Sequence, residues 1–165
     1  MKYHSNLFGH EGENSLLSYL ISEGLALELS SSYDHELYHF STFSVDITLT
    51  KKGIENVEKV IEAVFQYAHI VRDRGVQEYV FDEIKRIGEI NFDFVDKSSP
   101  MNYTLKLASR MQLFETDDDL PHILRHAYVA DELDHKRVQQ MSELLCDPSR
   151  VNIYMRSKTF ESQCT

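Results

Sequence analysis

The chain has 165 residues, of which 42% are hydrophobic and 27% are charged, as in ordinary globular domains. Its formal net charge of −10 argues against nucleic acid as a partner, because phosphate binding needs a cationic face. No apolar run approaches the roughly 20 residues that span a bilayer, so no membrane partner is expected.

The first predicted elements are a short helix and a pair of strands. A loop that contains Gly9 and Gly12 opens the chain, and the leucine spacing over 15–21 then predicts a helix. Residues 25–33 and 40–49 are predicted to be strands, since the second alternates apolar and polar side chains with a period of two. Their closeness along the chain predicts an antiparallel pair.

The middle of the chain is predicted to be helical. Apolar residues step by three or four over 51–74, with Ile61 near the centre, and this stripe predicts one long helix with a buried face. Another helix is predicted over about 77–95. Three more helices are predicted to begin at capping or proline positions, namely Ser99-Pro100, Pro121 and Asp134.

The end of the chain is predicted to form a closing strand, since Val151, Ile153 and Met155 alternate. The result is an α+β fold in which a small, largely antiparallel sheet packs against several helices, in a single domain over 1–165. Three strands are few for a sheet beneath so many helices. We therefore expect further strands before residue 1, and a domain that is incomplete on its N-terminal side.

A zinc-peptidase signature, H-E-x-x-H, occurs at His35, Glu36 and His39. The chemistry needs a helix, which would place both histidines on one face beside the metal. Here the motif follows a serine run and leads into a strand, where the two histidines would lie about 13 Å apart, too far for one ion. We interpret the motif as a chance match and expect no metal ligands or catalytic residues in this chain.

Other chemical motifs are weak or absent from the sequence. His122 and His126 share a helical spacing but lack a plainly placed third ligand, so a surface pair is expected. Neither a glycine-rich phosphate loop nor a C-x-x-C motif occurs. Cys146 and Cys164 are too few for a disulfide framework, which favours reduced thiols in a cytoplasmic protein.

A family resemblance adds what these motifs lack. The run Gly9-His10-Glu11-Gly12, followed by Ser15-Leu16-Leu17-Ser18, resembles the insulysin branch of the pitrilysin-type zinc metallopeptidases. Further short stretches agree in their order along the chain, among them 45–53, 65–67, 75–78 and 148–161. The resemblance covers nearly all of residues 5–161.

The resemblance implies an architecture and a role. Such enzymes consist of four related α+β domains around a closed chamber, and this chain resembles the second, non-catalytic domain. The family's zinc motif, H-x-x-E-H, belongs to the first domain and is absent here, so zinc is expected in the parent protein and the fragment alone is expected to be inactive. The implied partners are peptide substrates and the other domains of the parent chain.

By position, the resemblance also implies an exosite that anchors the N-terminal end of a peptide substrate by strand addition. Three positions match the family's residues, namely Gly9, Glu11 and Leu29. Three others depart from it, with Asn6 in place of His, Ser31 in place of Gly and Tyr33 in place of Gln. Glu11 could pair with a substrate α-amino group, or it could simply be a carboxylate that precedes a helix.

Two alternative functions come from other classes. Relatives of this fold serve as scaffold subunits, so the chain could be a structural module of a processing-peptidase-like complex. It could also be an autonomous zinc peptidase that uses His35, Glu36 and His39, the least favoured of the three hypotheses.

Overall fold

The computed structural model describes residues 2–34, 40–112, 122–130 and 132–160. Within these residues the chain forms eight α-helices, one two-stranded antiparallel sheet and two short 3-10 turns. This architecture confirms the predicted α+β fold. No helix of the described part is both long and apolar enough to cross a membrane.

The elements follow one another in a simple order. The strands are β1 (Ala26–Asp34) and β2 (Thr42–Leu49). The helices are α1 (Lys2–Phe8), α2 (Leu16–Ser22), α3 (Lys51–Glu55), α4 (Val57–Arg74), α5 (Glu78–Asp93), α6 (Pro100–Met111), α7 (Ile123–His126) and α8 (His135–Leu145). The 3-10 turns are Pro148–Arg150 and Lys158–Phe160.

Side-chain caps mark three of the predicted helix starts, and two of these caps, at Ser99 and Asp134, stand at positions where the sequence predicts a start. The hydroxyl oxygens of Ser15 and Ser99 each accept a hydrogen bond from the backbone N–H three residues further on, as does the carboxylate of Asp134. Such a bond satisfies one of the N–H groups that a helix leaves without an internal partner. The predicted starts of α2, α6 and α8 are therefore confirmed.

The sheet has one buried face and one solvated face. Strand β1 pairs with β2 in a register that sets Leu29 opposite Ile47, and Ser31 opposite Val45. The intervening residues of both strands are exposed and mostly polar. Among the described residues β1 pairs with β2 alone, so its other edge carries no strand.

The main core lies between the buried face of the sheet and helices α1, α2 and α4. Leu20 is its most buried side chain, with 0% of its surface exposed. The rest of the cluster comprises Phe8, Leu16, Leu17, Leu25, Ala26, Leu29, Val60, Ala63, Ala68, Val71 and Cys146. Burial of Cys146 agrees with a structural thiol.

The beginning of the chain differs from the prediction, since residues 2–8 form a helix and not a loop. Tyr3, His4 and Phe8 are its buried side chains. Ser5 and Asn6 disfavour a helix interior, and the segment is too short for periodicity to outweigh them. Tertiary burial of its apolar face therefore decides the conformation.

The long predicted helix is divided at Asn56, which departs from helical geometry with φ −127° and ψ 39°. Gly53 in α3 lies so close beneath the Leu25 carbonyl that a Cβ atom there would overlap it. The buried face of α4 includes Val60, whereas Ile61 is only half-buried. The predicted stripe was therefore one residue out of phase over its first turns.

The predicted closing strand is wrong. Residues 151–157 belong to neither a strand nor a helix, and Val151, Ile153 and Met155 are all exposed. A strand needs a neighbouring backbone to satisfy its hydrogen bonds, and no described residue offers one here. Alternation alone could not reveal whether that partner was present.

Helix α1 also joins the first half of the chain to the second. The Ser142 hydroxyl donates to the Val138 carbonyl and accepts from Nε2 of His4, at 2.9 Å from that nitrogen. Lys2 Nζ donates to the carbonyls of Ala127 and Tyr128 just after α7. These contacts join α1 to the segment after α7 and to α8.

The assignment of Leu20 to the core and of Ile21 to the surface can be tested by substitution at these neighbouring positions of α2. Leu20→Ala should lower the free energy of unfolding by about 2–5 kcal/mol, because it leaves a cavity in the core. Ile21→Ala should cost less than about 1 kcal/mol, since half of that side chain is exposed. Urea titrations followed by circular dichroism measure both values, and equal losses would contradict the assignment.

The His4 contact should make stability depend on pH. Burial lowers the pKa of His4 from 6.5 to about 4, so the folded protein keeps the ring neutral where the unfolded chain is protonated. Stability should therefore fall by about 1–3 kcal/mol as the pH drops from about 6.5 to about 4. His4→Gln should remove this part of the pH dependence in urea titrations, and His69→Gln, at an exposed position, should retain it.

Candidate functional site

An open cleft of about 350 Å³ lies between the C-terminal end of α1, the loop that follows it and the strand-free edge of β1. Its lining residues come from two separate stretches of sequence, namely Ser5, Asn6, Gly9, His10 and Glu11, and Leu29, Ser30 and Ser31. Folding thus brings the loop and the strand together across about 20 residues of intervening chain.

Aromatic packing fixes the α1 wall of the cleft. The Phe8 ring packs edge-on against Phe43 of β2 and Tyr67 of α4, with ring centroids 5.4 Å and 5.2 Å apart. The Tyr67 hydroxyl also donates to the Leu7 carbonyl at 2.9 Å. The end of α1 is therefore attached to both the sheet and the longest helix.

The β1 edge forms the opposite wall. Ser5 of α1 donates its hydroxyl proton to the Ser31 carbonyl at 2.9 Å, so this carbonyl points away from β2. Backbone groups of an antiparallel strand alternate between its two edges with a period of two. The N–H and C=O groups of Leu29 and Ser31 therefore face the cleft.

A second bond runs in the opposite direction between the same two serines. The Ser31 hydroxyl donates to the Ser5 carbonyl at 2.6 Å, and the two hydroxyl oxygens are 3.2 Å apart. Gly9 N–H donates to the same Ser5 carbonyl at 2.9 Å and ends the helix. A Cβ atom on Gly9 would stand only 2.9 Å from the Ser31 hydroxyl oxygen.

Glu11 supplies the charge of the cleft. It is exposed, and no described residue forms a hydrogen bond or ion pair with its carboxylate. Neither Lys nor Arg is among the residues that line the cleft. The site therefore presents one unneutralised carboxylate beside a strand-free sheet edge, which suits a cationic group at the end of an extended chain.

The structure brings four of the five predicted site residues together. Gly9, Glu11, Leu29 and Ser31 line the cleft, whereas Tyr33 does not. Tyr33 lies half-buried opposite Phe43, and this burial raises the pKa of its hydroxyl. The substrate-binding role of all five residues stays a prediction.

Ser5, His10 and Ser30 line the cleft but were not predicted from sequence. Ser5 precedes Gly9 by four residues, a spacing that places the two near each other on a helix. This spacing indicates a shared site only once residues 2–8 are known to be helical. Ser30 follows Leu29 along the edge strand. His10 belongs to the Gly9–Gly12 run that carried the resemblance.

In the part of the chain that the structure describes, no group of three or more His, Cys, Asp or Glu side chains could hold a metal ion. The motif of His35, Glu36 and His39 lies outside the described residues. Its interpretation as a chance match therefore stays a prediction. His122 and His126 are both exposed.

The close approach at Gly9 can be tested directly. Gly9→Ala should force the Ser5 and Ser31 groups apart and destabilise the fold by about 1–3 kcal/mol, as overpacking does. In Gly12→Ala the new Cβ atom would meet only the exposed His10 ring, which can rotate away. Urea titrations of both variants compare the losses, and a larger loss for Gly12→Ala would contradict the geometry.

The chain is similar to known proteins in sequence and in fold. Residues 1–87 match the family model for the inactive domain of peptidase M16, and residues 92–165 match that for its middle or third domain. The chain is 34% identical to insulin-degrading enzyme-like 1, peroxisomal, of Arabidopsis thaliana and 32% identical to insulin-degrading enzyme of Homo sapiens, in each case over 98% of its length. It is 30% identical to nardilysin of Rattus norvegicus over 99% of its length.

The chain spans only 14–16% of the length of these relatives. Among solved structures, a crystal structure of pitrilysin superimposes with a TM-score of 0.79 and 26% sequence identity. That match covers 87% of this chain and 15% of pitrilysin.

Proposed function

The chain belongs to the peptidase M16 family, and we propose that it is a non-catalytic, substrate-anchoring part of an insulysin-like zinc metalloendopeptidase. In this proposal the cleft between α1 and β1 holds the N-terminal end of a peptide substrate. The zinc ligands and the catalytic base belong to another part of the parent chain. The 165 residues alone would bind peptide without cleaving it.

The observation that carries the proposal is the meeting of two sequence-distant groups in one open cleft. The Gly9–Glu11 loop and the Leu29–Ser31 edge are separated in sequence, yet they line the same cavity. Strand addition with an amino anchor requires a carboxylate beside a strand-free sheet edge, and the cleft provides both groups. This favours substrate anchoring over the scaffold alternative.

Strand addition supplies the binding chemistry. A peptide that runs along β1 can exchange backbone hydrogen bonds with the cleft-facing groups of Leu29, and those bonds do not depend on side chains. The Glu11 carboxylate can accept from the peptide's α-ammonium group. The cleft would then select peptides with a free N-terminus and an extended backbone, and it would bind peptides of varied side-chain sequence.

We also propose that residues 1–165 act as a single unit in the parent enzyme. Two contacts between the stretches matched by the two family models support this, since His4 reaches Ser142 and Lys2 donates to the Ala127 carbonyl. Gly88 packs against the backbone of Tyr128 so closely that a Cβ atom would overlap the carbonyl. Helix α1, which forms one wall of the cleft, is thus hydrogen-bonded to residues of the second matched stretch.

The amino-anchor role of Glu11 predicts a selective loss. Glu11→Gln should weaken binding of a fluorescent peptide with a free N-terminus by about 3- to 10-fold, the lower part of the range for bonds to charged groups because the carboxylate is exposed. Binding of the N-acetylated form of the same peptide should change little. Fluorescence anisotropy titrations of the full chain measure both affinities.

Glu13→Gln is the matched control, because Glu13 is an exposed carboxylate two residues away that does not line the cleft. It should leave both peptides unaffected. Equal losses for the free and acetylated peptides in Glu11→Gln would reject the amino-anchor role, and absence of peptide binding in any form would reject the proposed function.

A further inference from the structure

The Ser5–Ser31 pair lies at the centre of the cleft. Each hydroxyl donates to the other residue's carbonyl, at 2.9 Å and 2.6 Å, and the two oxygens come within 3.2 Å of each other. One serine belongs to the helix wall and the other to the strand edge. The pair therefore joins the two walls of the cavity in which a peptide would lie.

We propose that Ser5 and Ser31 form a latch that sets how far an extended peptide can pair along β1. This inference rests on the proposed function, because it assigns a role within the same cleft. With the latch closed, a peptide pairs with the backbone of Leu29 and stops before Ser31. To extend further it must displace the Ser5 hydroxyl.

The backbone geometry explains why this pair controls the register. A peptide strand on the outer edge needs the N–H and C=O groups that face away from β2, and those of Ser31 follow those of Leu29 by two residues. The Ser31 carbonyl already accepts from Ser5. An incoming N–H group must therefore replace an existing bond, whereas at Leu29 it meets the cleft lining without that competition.

The position of Gly9 shows how little room the latch leaves. A Cβ atom on Gly9 would approach the Ser31 hydroxyl oxygen at 2.9 Å and the Ser5 carbonyl at 3.0 Å. The Ser31 side chain thus fills the space between the loop and the strand. The two hydroxyl groups obstruct a peptide in different ways. The Ser5 hydroxyl occupies the Ser31 carbonyl, whereas the Ser31 hydroxyl fills the space between the loop and the strand.

The latch can be tested with single-atom deletions in the full chain. Ser5→Ala frees the Ser31 carbonyl and should tighten binding of a fluorescent eight-residue peptide with a free N-terminus by about 2- to 10-fold. Ser31→Ala should also tighten it, by a smaller factor because Ser5 still donates to the carbonyl. Ser32→Ala is the matched control, since Ser32 is exposed and does not line the cleft, and it should leave the affinity unchanged.

Amide hydrogen exchange provides a second measurement that does not depend on affinity. In the unmodified chain, bound peptide should slow exchange of the Leu29 amide and leave that of Ser31 unchanged. In Ser5→Ala it should slow both. Circular dichroism establishes that each variant is folded, and the exchange measurement on the unmodified chain needs no variant.

The outcomes separate the latch from the proposed function. Peptide binding that responds to Glu11→Gln but not to either latch variant would overturn the latch alone, as would protection of the Ser31 amide in the unmodified chain. Tighter binding after Ser5→Ala, together with new protection of the Ser31 amide in that variant, would support the latch and the peptide site together. Peptide binding in none of the proteins would overturn both.

Discussion

The Phe8 side chain holds the candidate site together. A helix of seven residues is too short to persist alone in water, so α1 exists because its apolar side chains are buried against the sheet and α4. Phe8 meets Phe43 and Tyr67 edge-on, and this contact fixes the point at which the chain leaves the helix and enters the Gly9–Gly12 loop. The shape of the cleft therefore follows from a packing contact in the core.

The opposite end of α1 is held by polar contacts. Lys2 donates to two carbonyls beyond α7, and burial of its ammonium group lowers its pKa. His4 is completely buried, and its Nδ1 has no hydrogen-bond partner among the described residues. A neutral ring with one unsatisfied nitrogen is less costly there than a buried cation. The helix is thus anchored by aromatic packing at one end and by desolvated polar bonds at the other.

Sequence patterns predicted the parts of the fold that depend on local information. The strand pair followed from the alternation around Phe43 and Val45. The start of α2 followed from leucine spacing, and the starts of α6 and α8 followed from Ser99-Pro100 and Asp134. The wrong predictions concern segments whose conformation depends on contacts with residues distant in sequence. Helix α1 forms through tertiary burial, and the segment after Val151 stays out of a sheet because no described residue offers it a partner backbone.

Several residues of the candidate site were predictable from the sequence, but the hydrogen bonds that shape the cleft were not. The resemblance supplied Gly9, Glu11 and Leu29, and the structure places them around one cleft. Ser5 could not be identified, because its role depends on a helix that the sequence did not reveal and on a strand about 25 residues away. Tyr33 was placed with the others because the resemblance assigns its position to the exosite, whereas Tyr33 does not line the cleft.

The serine pair also resolves a conflict that any strand-addition site must face. A strand edge open enough to accept a substrate is equally open to pairing with another copy of the protein, which is why natural sheets protect their edges. Here the Ser5 hydroxyl occupies the Ser31 carbonyl of the edge, the Ser31 hydroxyl returns a bond to α1, and no described strand pairs there. The Ser5 hydroxyl satisfies the Ser31 carbonyl in the absence of peptide, and its displacement breaks only the few hydrogen bonds between Ser5 and Ser31. In the proposed peptide site, the same two side chains therefore protect the edge and limit how much of it a substrate can use.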